Sequence, residues 1–231
     1  MQKIKLWDLP TRLFHWLLVL AIALLFVTGI EGGNAIIWHG RLGIFVASLL
    51  AFRLVWGVIG STYARFLQFF PTPSSVMAYL QGKWHGLGHN PLGAFSVFAL
   101  LLLTLAQTLS GLVSNDEISF YGPLYKLVDR DVALWLTGLH KELAYYGLAA
   151  FIGLHVASIV FYKLVKKDNL VIPMLTGKKE VSAKDADKGY KGGGYAPLLA
   201  ALLFAGLAAW GASGAWIPAP PPPVETPGFD W

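Results

Sequence analysis

Five apolar runs, roughly residues 13–30, 37–59, 93–113, 132–164 and 195–217, govern what this chain can fold into. A helix needs about 20 predominantly apolar residues to cross a hydrocarbon core, so five transmembrane helices are expected. Composition agrees: of 231 residues 55% are hydrophobic and 13% charged, with a mean hydropathy of +0.56, outside the usual range of soluble domains. The amino-terminal Lys3, Lys5 and Arg12 give the first run the look of a signal peptide, but no small-residue cleavage site follows Gly29, and the run is expected to stay in the mature protein. Lys and Arg number 13 in the amino terminus, the 60–92 loop and the 163–194 segment, against two in the 114–131 loop. By the positive-inside rule the amino terminus is then cytoplasmic and the carboxy terminus periplasmic, in a multi-pass protein of a bacterial inner membrane. The net charge of +5 reflects that orientation and not nucleic-acid binding.

Cysteine is absent, which excludes disulfides, iron–sulfur clusters and covalent haem attachment. Any metal must be held by histidine, methionine or oxygen, and ionisable groups at membrane depth are functional by default. His140 and His155 lie fifteen residues apart in the fourth span, LHKELAYYGLAAFIGLHVASIVFY. On a straight helix that is about 22 Å and about 60° beyond four turns, which puts two imidazoles on similar faces near opposite membrane surfaces. His15, at the start of the first span, matches the depth of His155, and His39, opening the second, matches that of His140. Four histidines at two depths are what bis-histidine ligation of two b-type haems requires. Gly29, Gly43, Gly147 and Gly153 on the same helices allow a macrocycle close approach, or simply mark close helix packing.

The segments LPTRLFHWLL, WHGRLGIFVASLLAFRLVWGVIG, GHNPLGAFSVFALLLL and LHKELAYYGLAAFIGLHVASIVFYKLVKKDNLVIPMLTG resemble the bacterial cytochrome b561 family, which includes the cytochrome b subunits of nickel–iron hydrogenases, over roughly residues 5–178. The resemblance implies an all-α fold, an integral membrane four-helix haem-binding bundle, with one ligand on helix 1, one on helix 2 and two on helix 4. Those positions fall on His15, His39, His140 and His155. The expected organisation is a di-haem domain over residues 1–177, a solvated cytoplasmic linker over 178–194, a fifth transmembrane helix over 195–217 and a periplasmic proline-rich tail over 218–231.

Arg53, about 21 Å beyond His39 along the second span, is expected to pair with a propionate of the inner haem, against the alternative of snorkelling to lipid headgroups. For Arg41 near the outer haem both readings stay open. His85 and His89 are four apart, but Gly86, Gly88 and Pro91 argue against a helix there, so a loop role is expected; His89 is also a competitor of His15 for the inner haem. His89 and Asn90 are candidates for a quinone site beside that haem, competing with a site near Glu31, Asn34 and Arg41 on the other face, and with a plain capping role for the pair. Tryptophans 7, 16, 38, 56, 135 and 216 are expected to form an interfacial belt. Asp116, Glu117, Asp129 and Asp131 either attract a basic partner or belong to a solvated loop. The function so implied is transmembrane electron transfer between quinone and a periplasmic redox protein, a c-type cytochrome or a hydrogenase-like partner. A superoxide:quinone oxidoreductase acting on its own is the alternative, disfavoured by the acidic periplasmic loop.

Overall fold

The computed structural model describes residues 2–118, 120–181 and 190–218. Five helices are long and apolar enough to cross a membrane. In chain order the elements are strand β1 (Gln2–Lys5), helices α1 (Leu9–Glu31), α2 (Ala35–Ile59), the short α3 (Pro73–Leu80), α4 (Pro91–Val113) and α5 (Arg130–Glu142), a π-helical stretch (Leu143–Leu148), α6 (Ala149–Leu164), the short α7 (Val171–Thr176), strand β2 (Lys178–Val181) and α8 (Tyr195–Ser213). The fourth span is the continuous helix Arg130–Leu164.

Local chemistry sets the helix ends. Asp8 caps α1, its Oδ1 accepting the Thr11 N–H at 2.6 Å, so the helix begins four residues before the apolar run does. Gly32 and Gly33, at φ +64° and +50°, make the reversal into α2, a conformation open to residues without Cβ. Asn90 caps α4, with Pro91 in its first turn; proline there forfeits only an amide that has no helical partner anyway.

α2 is the central helix and packs against α1, α4 and α8, while the fourth span leans on α4. One buried cluster joins Phe14 of α1 and Leu49, Phe52 and Trp56 of α2 to Ala64, Ala201 and Ala205. A second, nearer the middle of the bundle, holds Ala21, Val46 and Leu50. Leu20, Val27, Leu102, Leu154 and Leu203 are exposed, as side chains solvated by lipid should be. Alanines on the buried face of α8 let it approach α2 closely, the usual substitute in a membrane for a hydrophobic driving force.

Three expectations are corrected. Residues 178–181, expected to open a solvated linker, form β2, antiparallel to β1 with Lys3 opposite Glu180; the alternation Lys178, Lys179, Glu180, Val181 leaves Val181 buried. The far end of that linker is also held: Thr62 and Lys191 exchange main-chain and side-chain hydrogen bonds of 2.9–3.2 Å, and a Cβ on Gly193 would strike the Trp56 ring. Residues 182–189 lie outside the described residues. The fifth helix ends at Ser213 instead of residue 217, at a left-handed Gly214. Trp7 and Trp56 are buried in the protein and do not join a belt, whereas Trp16, Trp38, Trp135 and Trp216 are exposed. The tail expected over 218–231 lies, from residue 219, outside the described residues.

β1 and β2 place the amino terminus and the chain leaving the fourth span on one face of the bundle, so the spans alternate in direction. In the loop on the other face, Asp116 Oδ1 accepts main-chain N–H groups of Ile118 and Phe120, and Glu117 pairs with Arg130. Two of its four acids therefore serve the loop's own shape.

The α2–α8 contact yields a direct test. Ala201 is fully buried, so Ala201→Leu should overpack the seam and destabilise the protein by about 1–3 kcal/mol. The readout is the thermal midpoint in detergent; an unchanged midpoint would mean that α8 is not part of the core.

Candidate functional site

The structure brings His39 and His140 together at the face away from the amino terminus. Their ring centroids lie 6.0 Å apart with planes at 81°. Two axial imidazoles on opposite sides of one iron, with metal–nitrogen bonds of about 2 Å, need roughly that separation. His39, in the second turn of α2, has Nδ1 3.0 Å from the Leu25 carbonyl of α1 and 3.4 Å from Thr28 Oγ1. His140, at the end of α5, has Nδ1 2.9 Å from the Gln107 carbonyl of α4 and 3.3 Å from Ser110 Oγ. A carbonyl only accepts, so Nδ1 carries the hydrogen in both rings and Nε2 keeps its lone pair, the tautomer and outer contact typical of a metal-bound imidazole.

Glycines cradle both rings. A Cβ on Gly29 would stand 3.1 Å from His39 Cε1 and Nδ1, and one on Gly111 2.8 Å from His140 Cε1. Both histidines line a cavity of about 300 Å³ with Gly40, Gly43, Val46, Thr104, Thr108 and Leu148, and the backbone of Gly43 has open space in front of it. Small residues on α2 thus leave a gap between helices where side chains would otherwise close it, and the residues present fit an iron macrocycle held by two imidazoles.

At the other end of the bundle His15 of α1 and His155 of α6 lie within electrostatic reach of each other. His155 Nδ1 is 3.3 Å from Ser96 Oγ of α4; His15 Nδ1 is buried without a hydrogen-bond partner. His89, in the loop before α4, joins them, its ring 4.7 Å from Trp7 and 4.5 Å from Phe69. Burial, then the charge of Arg53 and the nearby His155 and His15, pushes its pKa down to about 3, so it stays neutral at ordinary pH. His89 also lines a cavity of about 150 Å³ with Tyr63, Gln68, Phe69, Ser75 and Trp84.

Arg53 is buried, 3% exposed, stacked 4.4 Å over Phe66, and its Nη1 has no partner. An orphaned guanidinium donor so deep is costly unless an anion completes it. Asp8, an acid within electrostatic reach of it, is itself occupied by Thr11 N–H and by Trp56 Nε1 at 3.0 Å. Arg41 is not drawn in: it is exposed, lies 4.9 Å over Trp38 and is not among the residues that line the larger cavity. Asn90 is likewise spent, Oδ1 accepting Gly93 N–H and Nδ2 donating to Tyr162 Oη, both at 2.7 Å.

The fourth span is not the straight helix from which His140 and His155 were related above. Within the π-helical stretch the Ala149 N–H bonds the Ala144 carbonyl, five residues back. Such a turn absorbs about one extra residue. The two histidines therefore relate as residues fourteen apart on a regular helix, about 21 Å in rise and about 40° to the other side. Gln107, Ser110, Ser96 and Gly111 went unnoticed in the sequence, although an amide deep in PLGAFSVFALLLLTLAQTLSGLV is an intramembrane polar group of the kind that signals a site.

Membrane-spanning helices with histidines paired at depth define a membrane cytochrome of b type. The sequence profile described as prokaryotic cytochrome b561 matches residues 6–177, and the chain belongs to that family. It is similar to the probable Ni/Fe-hydrogenase 1 B-type cytochrome subunit of Escherichia coli K12, 23% identical over 210 residues covering 74% of this chain and 88% of that one. The probable Ni/Fe-hydrogenase B-type cytochrome subunits of Cupriavidus necator (24% over 213 residues; 74% and 84%) and Azotobacter vinelandii (24% over 217 residues; 75% and 87%) are similarly related. No solved structure matches the chain. Family membership carries haem b and membrane electron transfer with it. The matched segment ends just before β2, so α8 lies outside it.

The glycine cradle can be tested alone. Gly111→Ala sets a methyl against the His140 ring and should weaken haem retention, with overpacking of about 1–3 kcal/mol. Gly138→Ala, whose Cβ has open space, is the control. Equal haem content in the two variants would show that the ring is not held where Gly111 admits it.

Proposed function

We propose that this chain binds two haems b, one between His39 and His140 and one between His15 and His155, and passes electrons across the bilayer between membrane quinone and a periplasmic redox protein. The observation that carries the reading is the His39–His140 pair, with Nδ1 of each ring tied to a carbonyl and the lone pair on Nε2, together with His15 and His155 within electrostatic reach at the other end. When bound, haem would supply reversible one-electron chemistry at each histidine pair.

The protein's part is to orient and to insulate. The orphaned donor of Arg53 is suited to a propionate of the inner haem, and Arg41, on the outer surface, to lipid or partner. The basic loops put the amino terminus in the cytoplasm, which sets the His39–His140 pair towards the periplasm. Hydrogenase-related names among the relatives favour a hydrogenase-like periplasmic partner over a c-type cytochrome. Quinone is assigned to the cytoplasmic side, where neutral His89 lines the smaller cavity and has a free Nδ1 for a carbonyl or its proton. Asn90 contributes there only indirectly, through the cap of α4 and its bond to Tyr162.

Haem quantitation tests the ligands. His140→Ala and His155→Ala should each lose one of two haems; both retaining the full complement with wild-type spectra would sink the assignment. His15→Ala should lose the inner haem and His89→Ala keep it; the reverse result makes His89 the ligand.

Quinol-driven haem reduction tests the side. His89→Ala should slow it by up to about tenfold, the effect of losing one hydrogen bond to the quinone, while Arg41→Ala leaves it unchanged. Loss in Arg41→Ala alone would move the quinone site to the opposite face.

A further inference from the structure

Gln107 is the one amide side chain in α4, and its contacts converge on a single residue of another span. Its carbonyl takes the His140 Nδ1–H at 2.9 Å. Its side-chain Nε2 donates to the His140 main-chain carbonyl at 2.9 Å and lies 3.2 Å from His140 Nε2. Ring and backbone of one histidine are thus gripped by one glutamine, inside the larger cavity. The grip falls where the fourth span changes its winding: the Leu143 N–H is shared between the His140 and Leu139 carbonyls, and the π-helical stretch starts at that residue. A side-chain donor at the His140 carbonyl supports the backbone where the regular ladder is interrupted.

We propose that Gln107 is the positioning residue of the outer haem site, fixing the tautomer, ring direction and backbone of His140 from across the helix interface. The inference rests on the reading of His140 as an axial ligand. An imidazole whose Nδ1–H is tied to a carbonyl presents its Nε2 lone pair for a metal and is a stronger donor to it. The side-chain amide keeps that lone pair hydrogen-bonded, and therefore directed, before a metal takes it. Of the three contacts, only that to Nε2 would have to yield to a metal; the bonds from Nδ1 to the Gln107 carbonyl and from the amide to the His140 carbonyl are compatible with ligation. Ser110, at 3.3 Å from Nδ1, is a longer second contact that cannot replace the amide, since it reaches only the ring.

The competing role for Gln107 is general adhesion between α4 and the fourth span, which would affect both ends of the bundle alike. The two are separated with the full-length chain in nanodiscs, by haem titration, low-spin electron paramagnetic resonance and redox titration of both haems. Gln107→Met keeps length and volume but has no amide. It keeps the main-chain acceptor of the His140 Nδ1–H and loses the bond to the His140 carbonyl, so it should bind haem at the His39–His140 site about twofold to tenfold more weakly, the fold-change of one hydrogen bond, and shift that haem's resonance and midpoint potential. The His15–His155 haem should be unchanged. Gln107→Asn, which retains an amide, should recover part of the wild-type signal. Wild-type affinity, resonance and potential in Gln107→Met would overturn the proposal, as would equal changes at both haems or a Gln107→Asn no better than Gln107→Met. Failure of the ligand reading looks different, since then His140→Ala itself would keep both haems.

Discussion

A ring N–H held in hydrocarbon must find its acceptor inside the protein, because lipid offers none. That requirement organises the site. Helical carbonyls have a second lone pair beyond the one used by the helix ladder, and both outer histidines use one: Leu25 of α1 for His39, Gln107 of α4 for His140. Each histidine is thereby tied to a helix other than its own. The bonds that select the tautomer are therefore also bonds between spans, so bundle geometry and imidazole chemistry cannot be varied independently.

The two ends of the bundle solve the problem of space differently. At the end away from the amino terminus, glycines at 29, 40, 43 and 111 withdraw side chains from around the rings. At the other end the histidines sit among aromatic rings and a buried arginine: Trp7 and Phe69 each lie tilted against His89, and Arg53 lies over the rings of Phe14 and Phe66. Cation–π contact lowers the cost of a buried guanidinium, but it leaves Nη1 unsatisfied. An end that keeps a charge in reserve suits an anionic group at its edge, while an end lined by glycine and threonine suits a flat, mainly apolar one.

Much of this was legible in the sequence, for physical reasons. Apolar run length fixes the number of spans, and His39 and His140 are brought together because depth along alternating helices follows from residue number alone. What stayed hidden depends on azimuth and on third partners. The π-helical stretch breaks the period from which the angle between His140 and His155 was taken, and nothing in LAYYGL marks it. The capping role of Asn90 was foreseen as an alternative, but its second bond, to Tyr162 some seventy residues away, has no local signature. Trp7 and Trp56 read as membrane anchors because span ends are where anchors sit. Trp56 is instead drawn inward by a buried carboxylate, Asp8, whose own position is set by capping α1.

The fifth helix lies beyond the family segment, yet it is not an appendage. It contributes nothing to the lining of the larger cavity. Ala201 and Ala205 pack into the cluster formed by Leu49, Phe52 and Trp56, which are residues of α2. That helix carries His39 near one end and Arg53 near the other, and its remaining faces are taken by α1 and α4. Without α8 the buried face of Phe52 and Trp56 would meet lipid, which packs less closely than a neighbouring helix and holds no side chain in one rotamer. Trp56 in turn holds Asp8, an acid within electrostatic reach of Arg53. The order of the site near the amino terminus therefore runs through Phe14, Phe52 and Trp56 to α8.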